Sequence, residues 1–404
     1  MTLKYAARLA LIASLLPITA SAALSDKRGI GIARPSASDV QLLSNNVAWY
    51  YNWKVAPDGW LAVDKVANAP EFVPMVWGGN FNEKRLRQYL SHHPKVKYLL
   101  AFNEPNFRHQ ANLTPKQAAK LWPKIETIAD QYHLKIIAPA VNYSPGDVDI
   151  PGTKQDSSPF AYLDSFFAEC PHCRVDYLAV HSYMSTPEAV KRYVSKFYQR
   201  YQKPIWLTEW NLNLGKRKET QSQQMDFMAE TVRWLEEQPF VFRYAWFVAR
   251  SGKVAQPRQA DLLTGNHWNP LGKLYTQLPN TNSLYKIPFT INAFQAQRLR
   301  GFHHQVDNSS TAILLNGERG ATTEFAFTSD ISRSASVALN YKSQDKTNVE
   351  YKMDDETWQL AVLPKATSPT WFNLSTHKAI SRGEHTLTLR IQEQNLRIAK
   401  LRIQ

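Results

Sequence analysis

Tyr98-Leu99-Leu100-Ala101-Phe102-Asn103-Glu104-Pro105-Asn106 is the stretch on which the reading of the fold turns. Its first five residues are apolar without alternation, as in a strand covered on both faces of a parallel sheet. The run then stops on a polar tip, and proline removes the donor that a continued ladder would need. A second stretch is built the same way: Ile205-Trp206-Leu207-Thr208-Glu209-Trp210-Asn211. Each carries one carboxylate at its carboxyl end, where α/β folds gather their ligands.

Working outward, similar runs occur at 29–33, 47–53, 72–78, 134–141, 177–183 and 243–250, so the chain offers eight. Helical stretches fall between them. Thr114 stands as a cap before Pro115, and Ala118, Leu121, Trp122, Ile125 and Ile128 recur at helical spacing. Met225, Met228, Val232 and Leu235 do the same ahead of the eighth run. Eight strands alternating with helices over about 250 residues predict a (β/α)₈ TIM barrel. A doubly wound open sheet would alternate too, but no glycine-rich phosphate loop of the GxGxxG or Walker type is found. Beyond a linker at 279–288 the pattern changes to short alternating runs at 323–328, 335–341, 348–353, 385–391 and 396–403, without an amphipathic helix. That predicts a C-terminal antiparallel β-sandwich. The expected organisation is an α/β barrel domain at 23–278 followed by a sandwich at 289–404.

The first 22 residues read as an export signal. Lys4 and Arg8 precede an apolar run from Leu9 to Ile18, and Ala20-Ser21-Ala22 has the small residues of a cleavage site. The run is too short to span a bilayer, so the mature chain is expected in the periplasm or outside the cell, free of the membrane, and by default monomeric. The formal net charge of +14 comes from basic residues spread along the chain. In that compartment it reads as adhesion to anionic envelope polymers or as solubility rather than as nucleic-acid binding, and leaves an acidic polysaccharide substrate open. Cys170 and Cys173, spaced Cys-Pro-His-Cys, suit a small disulfide. A thiol oxidoreductase would place the first Cys at a helix N-terminus; here the motif follows a predicted helix at 158–168.

Strands four and seven lie across the mouth of such a barrel, so Glu104 and Glu209 are expected to face each other over one bond. One carboxylic acid protonating a leaving oxygen while a second carboxylate attacks the anomeric carbon is the chemistry of glycosidic cleavage. Other strand ends supply candidate sugar contacts in Asn52, Trp77, Asn103, His181, Tyr183 and Trp246. The abundance of aromatic residues, twelve of them Trp, is consistent with stacking platforms as well as with a large core. No metal set and no cofactor is expected.

Taken in order, Trp49–Trp53, 72–78, 102–106, 176–183, 204–209 and 243–247 make the chain from about 28 to 276 resemble glycoside hydrolase family 128, a clan A TIM-barrel family known for β-1,3-glucanases. The resemblance implies Glu104 as general acid/base, Glu209 as nucleophile in a retaining double displacement, and Asn103 at the sugar 2-hydroxyl. Trp210-Asn211 and Asn106 depart from the family's usual residues and touch the substrate subsites. The C-terminal region resembles carbohydrate-binding modules of families 6 and 35, carried by Phe294-Gln295-Ala296-Gln297, Glu324-Phe325-Ala326-Phe327 and 383–389. Gln295 and Gln297 stand where calcium-holding acids occur in those modules; Tyr351, Trp358 and Trp371 are candidate sugar platforms. The expected partner is a polysaccharide, a β-glucan or an anionic exopolysaccharide. A catalytically silent glycan-binding protein is the alternative from another class, and loss of turnover would be its mark.

Overall fold

The computed structural model describes residues 24–143, 148–150, 158–251, 259–280 and 283–404. The expected export segment, 1–22, lies outside the described residues. The first part of the chain alternates strands with helices. These are β1 (Arg28–Gly31), α1 (Ala37–Leu43), β2 (Trp49–Tyr51), α2 (Trp60–Val63), β3 (Glu71–Phe72), β4 (Met75–Val76), α3 (Glu83–His92), β5 (Tyr98–Asn103), α4 (Pro115–Gln131) and β6 (Lys135–Ala140). There follow α5 (Pro159–Glu169), β7 (Leu178–Met184), α6 (Pro187–Tyr201), β8 (Ile205–Leu212), α7 (Gln221–Glu237) and β9 (Val241–Trp246). A short hairpin, β10 (Leu263–Thr264) and β11 (His267–Trp268), precedes α8 (Pro270–Gln277).

All pairings among β1–β9 are parallel. They form one sheet in the order β3-β2-β1-β9-β8-β7 and another in the order β4-β5-β6. Val73-Pro74 alone separates β3 from β4. Across that break the Val73 amide donates to the Tyr50 carbonyl and the Leu100 amide to the Pro74 carbonyl, both at 3.0 Å. At the other margin, parallel bridges join Ile137 to Tyr177 and Val141 to Val180.

Two packing environments follow from the period of two along each strand. Tyr50 joins the large cluster packed under the helices. Trp49 and Tyr51 point the other way, into a separate cluster with Val73, Met75, Leu100, Ile137, Ala140, Ala179, Trp206 and Ala245. One or two residues per strand meet there, and Trp49 and Trp206 pack edge to face at 4.9 Å. Gly29 makes this possible: a Cβ at that position would lie 2.2 Å from Trp49 Cε2. The Arg243 guanidinium stacks over Tyr98 and Trp206 at 4.7 and 5.0 Å and pairs with Glu71 at 2.6 Å. Helix α4 starts where its cap demands, with a reciprocal capping box between Thr114 and Gln117 and Pro115 in the first turn.

The chain from 285 on is antiparallel apart from its first strand. Its strands are β12 (Tyr285–Lys286), β13 (Phe289–Asn292), β14 (Arg298–Val306), β15 (Ile313–Ser329), β16 (Arg333–Ser343), β17 (Thr347–Met353), β18 (Gln359–Leu363), β19 (Ala366–Ile380), β20 (Gly383–Ile391) and β21 (Arg397–Ile403). The main path runs β18-β17-β20-β15-β21-β16-β19. Phe325, Phe327, Val337, Leu339, Leu387, Leu389, Leu401 and Ile403 alternate inward to a common core. Tyr285–Lys286, inside the stretch expected as a linker, pairs in parallel with β15. Helix α7 links the two regions. Arg233 donates to the carbonyls of Phe294 and Ala296, and Asp226 accepts from the His304 amide at 2.7 Å. Cys170 and Cys173 form a disulfide across the turn after α5.

The first strand is held by a buried polar knot. Arg28 meets Glu236 of α7 at 3.1 Å and the Tyr275 carbonyl of α8 at 2.7 Å, while Tyr244 of β9 and Ser25 also donate to Glu236. Removing one partner of a buried ion pair leaves the other uncompensated, which costs about 3–5 kcal/mol. Glu236→Ala should therefore lower the free energy of unfolding by about that amount in chemical denaturation. A loss under about 1 kcal/mol would show the knot to be dispensable.

Candidate active site

Glu104 follows directly on β5 and Glu209 lies within β8, and local irregularities aim both. In the β5–β6 pairing, partners step from Ala101↔Pro139 to Asn103↔Ala140, leaving Phe102 out of register. Phe102 and Glu104 both adopt left-handed backbone, at φ 55° and 41°. In β7–β8 the register passes from Val180↔Leu207 to His181↔Glu209, skipping Thr208. Bulges of this kind re-aim side chains, and non-glycine residues at positive φ persist where surrounding structure holds them.

The two carboxylates meet at His181, which is wholly buried. His181 Nδ1 lies 2.9 Å from Glu104 Oε1 and 3.5 Å from Glu209 Oε2. One ligand-capable atom from each of the three residues falls within 4.8 Å of the others. Glu209 is further surrounded by donors. The Trp53 indole donates to Oε1 at 2.8 Å, the Tyr51 hydroxyl reaches Oε1 at 3.3 Å, and the Tyr183 hydroxyl donates to Oε2 at 2.5 Å. Phe247 packs edge-on against both Trp53 and Tyr183 at 5.7 Å.

Burial pushes the Glu209 carboxyl above the ordinary range. The His181 charge opposes this, Glu104 adds to it, and the bonds from Tyr183 and Trp53 pull it back. At His181 burial works against the cation, but the Glu209 charge, with the hydrogen bond and charge of Glu104, prevails and raises the pKa. Burial and then Glu209 hold the Tyr51 and Tyr183 hydroxyls protonated far above neutrality. Glu104, His181 and Glu209 have the composition of a cation site. However, the oxygens of Glu209 already face three N–H and O–H donors, an arrangement that suits an anion rather than a metal ligand.

The remaining expected contacts divide. Asn103 is buried beside Glu104 and donates to Gln110 Oε1 at 3.3 Å, and its Oδ1 has no partner among the described residues. Trp77, 38% exposed, lines a groove of about 500 Å³ together with Trp53, Met75, Phe81 and Arg85. Asn52 does not face the pair. Its side chain bonds the Ala56 carbonyl and the Lys54 amide, holding its own turn. Trp246, expected as a sugar platform, is fully buried; its indole donates to the Ala260 carbonyl, and its ring packs against Trp210 at 4.6 Å. Sequence reasoning missed Tyr51 and Trp53. The signal was present: once Trp49 points inward, the period of two carries Tyr51 and Trp53 inward and turns Asn52 away.

Comparison with known proteins assigns the class. Residues 29–275 match the family model described as glycosyl hydrolase catalytic core. Among solved structures, an endo-β-1,3-glucanase of GH128 subgroup II from Sorangium cellulosum is 36% identical, with coverage of 63% of this chain and 99% of that one and a TM-score of 0.55. A second subgroup II endo-β-1,3-glucanase, from Pseudomonas viridiflava, is also 36% identical over 63% and 98%, with a TM-score of 0.56. A subgroup I endo-β-1,3-glucanase from Amycolatopsis mediterranei, solved with laminaritriose, is 30% identical over 62% and 99%, with a TM-score of 0.51. A curated relative, alkali-sensitive linkage protein 1 of Schizosaccharomyces pombe, is 25% identical over 216 residues; the match spans 51% of this chain and 35% of that protein. The chain belongs to the glycosyl hydrolase catalytic-core family, and within it to glycoside hydrolase family 128.

The His181 shift gives a pH prediction. A histidine raised in the folded state stabilises fully below its unfolded value, about 6.5, and loses that contribution as pH rises through the folded value. The melting-temperature advantage of the wild type over His181→Gln should therefore be largest near pH 6 and narrow as pH is raised. A gap that widens with pH would contradict the imidazolium bridging two carboxylates.

Proposed function

We propose that the chain is a retaining endo-acting β-1,3-glucanase. The observation that carries this is the short distance within the acidic pair: carboxyl oxygens of Glu104 and Glu209 lie within 4.8 Å of each other. Retaining enzymes keep their carboxyl groups about 5–5.5 Å apart, whereas inverting ones leave about 6.5–9.5 Å for a water. The substrate follows from the solved relatives, which are described as endo-β-1,3-glucanases and include an Amycolatopsis enzyme bound to laminaritriose and laminarihexaose. Variants of that enzyme carry substitutions at two different glutamates, which fits a two-carboxylate site.

In this reading the parallel strands close into one eight-stranded barrel, β3 and β4 serving as one strand interrupted at Pro74. The links from Val73 to Tyr50 and between β6 and β7 support that closure. The barrel domain occupies 23–278 and the sandwich 289–404. Glu209, with three donors on its two oxygens, is kept as the anion that attacks the anomeric carbon. Glu104, bonded among the described side chains by His181, protonates the departing oxygen and then takes a proton from water, which releases the glycosyl group from Glu209. His181 lies against both carboxyls, 2.9 Å from Glu104 and 3.5 Å from Glu209, and offsets the Glu209 charge. Asn103 faces the sugar 2-hydroxyl, and Trp77 receives a sugar ring in the groove beyond Trp53. The leader at 1–22 is removed on export, and the monomer acts in the periplasm or outside the cell.

Reducing-sugar release from linear β-1,3-glucan tests the proposal. The mature chain should be active, and Glu104→Gln should lose about 10²–10⁴-fold in kcat. Glu209→Gln should lose at least as much. A wild type inactive on this glucan, or a Glu104→Gln variant within tenfold of wild type, would overturn it.

A further inference from the structure

The sandwich has a second place built for a sugar chain, on the side of the sheet turned away from its core. In register, Trp371 of β19 stands beside Asn340 of β16, which stands beside Lys400 of β21 and then Asn292 of β13. The next row is Asn373, Ala338, Arg402 and Thr290. Paired residues share a face, and their neighbours Val337, Leu339, Leu401 and Ile403 fill the core on the other side. The methyl group of Ala338 leaves room for Arg402 to reach across it, with its guanidinium carbon 4.3 Å from the centre of the Trp371 ring. The indole is held on one face by a cation and remains 37% exposed.

Two observations mark this row as more than a solvated sheet. Asn340 is 7% exposed, yet among the described residues its amide has no hydrogen-bond partner. Lys400 and Arg402 have no carboxylate partner among the described residues either, and Arg402 Nε lacks a hydrogen bond. The amide atoms of Asn340 keep contact with solvent and stand open to a ligand hydroxyl. Unpaired cations beside a flat ring fit a ligand that is both stackable and acidic.

We infer that this row binds a carboxylated polysaccharide: a sugar ring stacks on the free side of Trp371, a hydroxyl meets Asn340, and an acidic substituent pairs with Lys400 and Arg402. From Trp371 to Lys400 the row crosses two strand spacings, about 10 Å at ~4.8 Å each, enough for about two sugars, and Asn292 beyond it is engaged with Gln277 and Gln295. The site is independent of Glu104 and Glu209 and would hold the enzyme to an anionic polymer while the other domain cleaves its own substrate.

Affinity electrophoresis of the full chain carrying Glu209→Gln, in gels containing polygalacturonate or neutral linear β-1,3-glucan, tests this. Polygalacturonate should retard the chain, and Trp371→Ala and Lys400→Ser should each weaken that retardation roughly tenfold or more. Both side chains are exposed, and unchanged unfolding midpoints would confirm that the sheet is intact. Absence of retardation would overturn the inference, as would retardation that survives Trp371→Ala, which is the mark of plain charge attraction. Trp371-dependent retardation by the neutral glucan that ignores Lys400→Ser would overturn the acidic ligand.

Discussion

Two carboxylates share one nearly closed space, and much of the parallel-stranded part of the chain is arranged around that fact. Glu104 and Glu209 are 6% and 5% exposed, with oxygens within 4.8 Å. Burying one charge is costly, and burying two of the same sign is more so. The surroundings offset that cost with a buried imidazole between the pair and a ring of donors on Glu209. Left-handed backbone at Trp53, Phe102 and Glu104, with register slips in β5 and β8, is the local strain needed to bring these groups to one point.

The strands supply the rigid frame on which that strain is held. Trp49, Trp206 and their neighbours fill the space between them with large rings, and Arg243 sits among those rings with Glu71 as its counter-ion. Strand ends can deviate at one rim because the middle and the opposite end are packed and pinned, the latter by Arg28 and Glu236. The donors to Glu209 come from β2, the turn just after it and β7, so the state of that carboxyl depends on segments that are far apart in sequence.

The strand and helix order was legible in the residues because buried parallel strands are apolar throughout and helices carry their caps in sequence. The pair of Glu at strand ends could also be read directly. What misled was the assumption that a strand-end residue faces the ligand. Asn52 and Trp246 sit at strand ends but on the wrong side or under the surface, whereas Trp53 and Tyr51 point inward. The bulge at Thr208 has no glycine or proline to announce it, and the one at Phe102 is marked only across the pair, by Pro139 opposite Ala101. Likewise β12 falls in a stretch rich in Asn, Ser and Thr that reads as linker, because a two-residue strand leaves no periodicity.

The stereochemistry of the first product tests the central claim most directly, because carboxyl spacing and the role of Glu209 both predict it. Proton NMR during the first minutes of hydrolysis of the proposed β-1,3-glucan substrate would show which anomer forms before mutarotation. The close pair and a glycosyl-Glu209 intermediate predict the β anomer first. Initial appearance of the α anomer would mean a single displacement by water and would contradict the assignment of Glu209 as nucleophile.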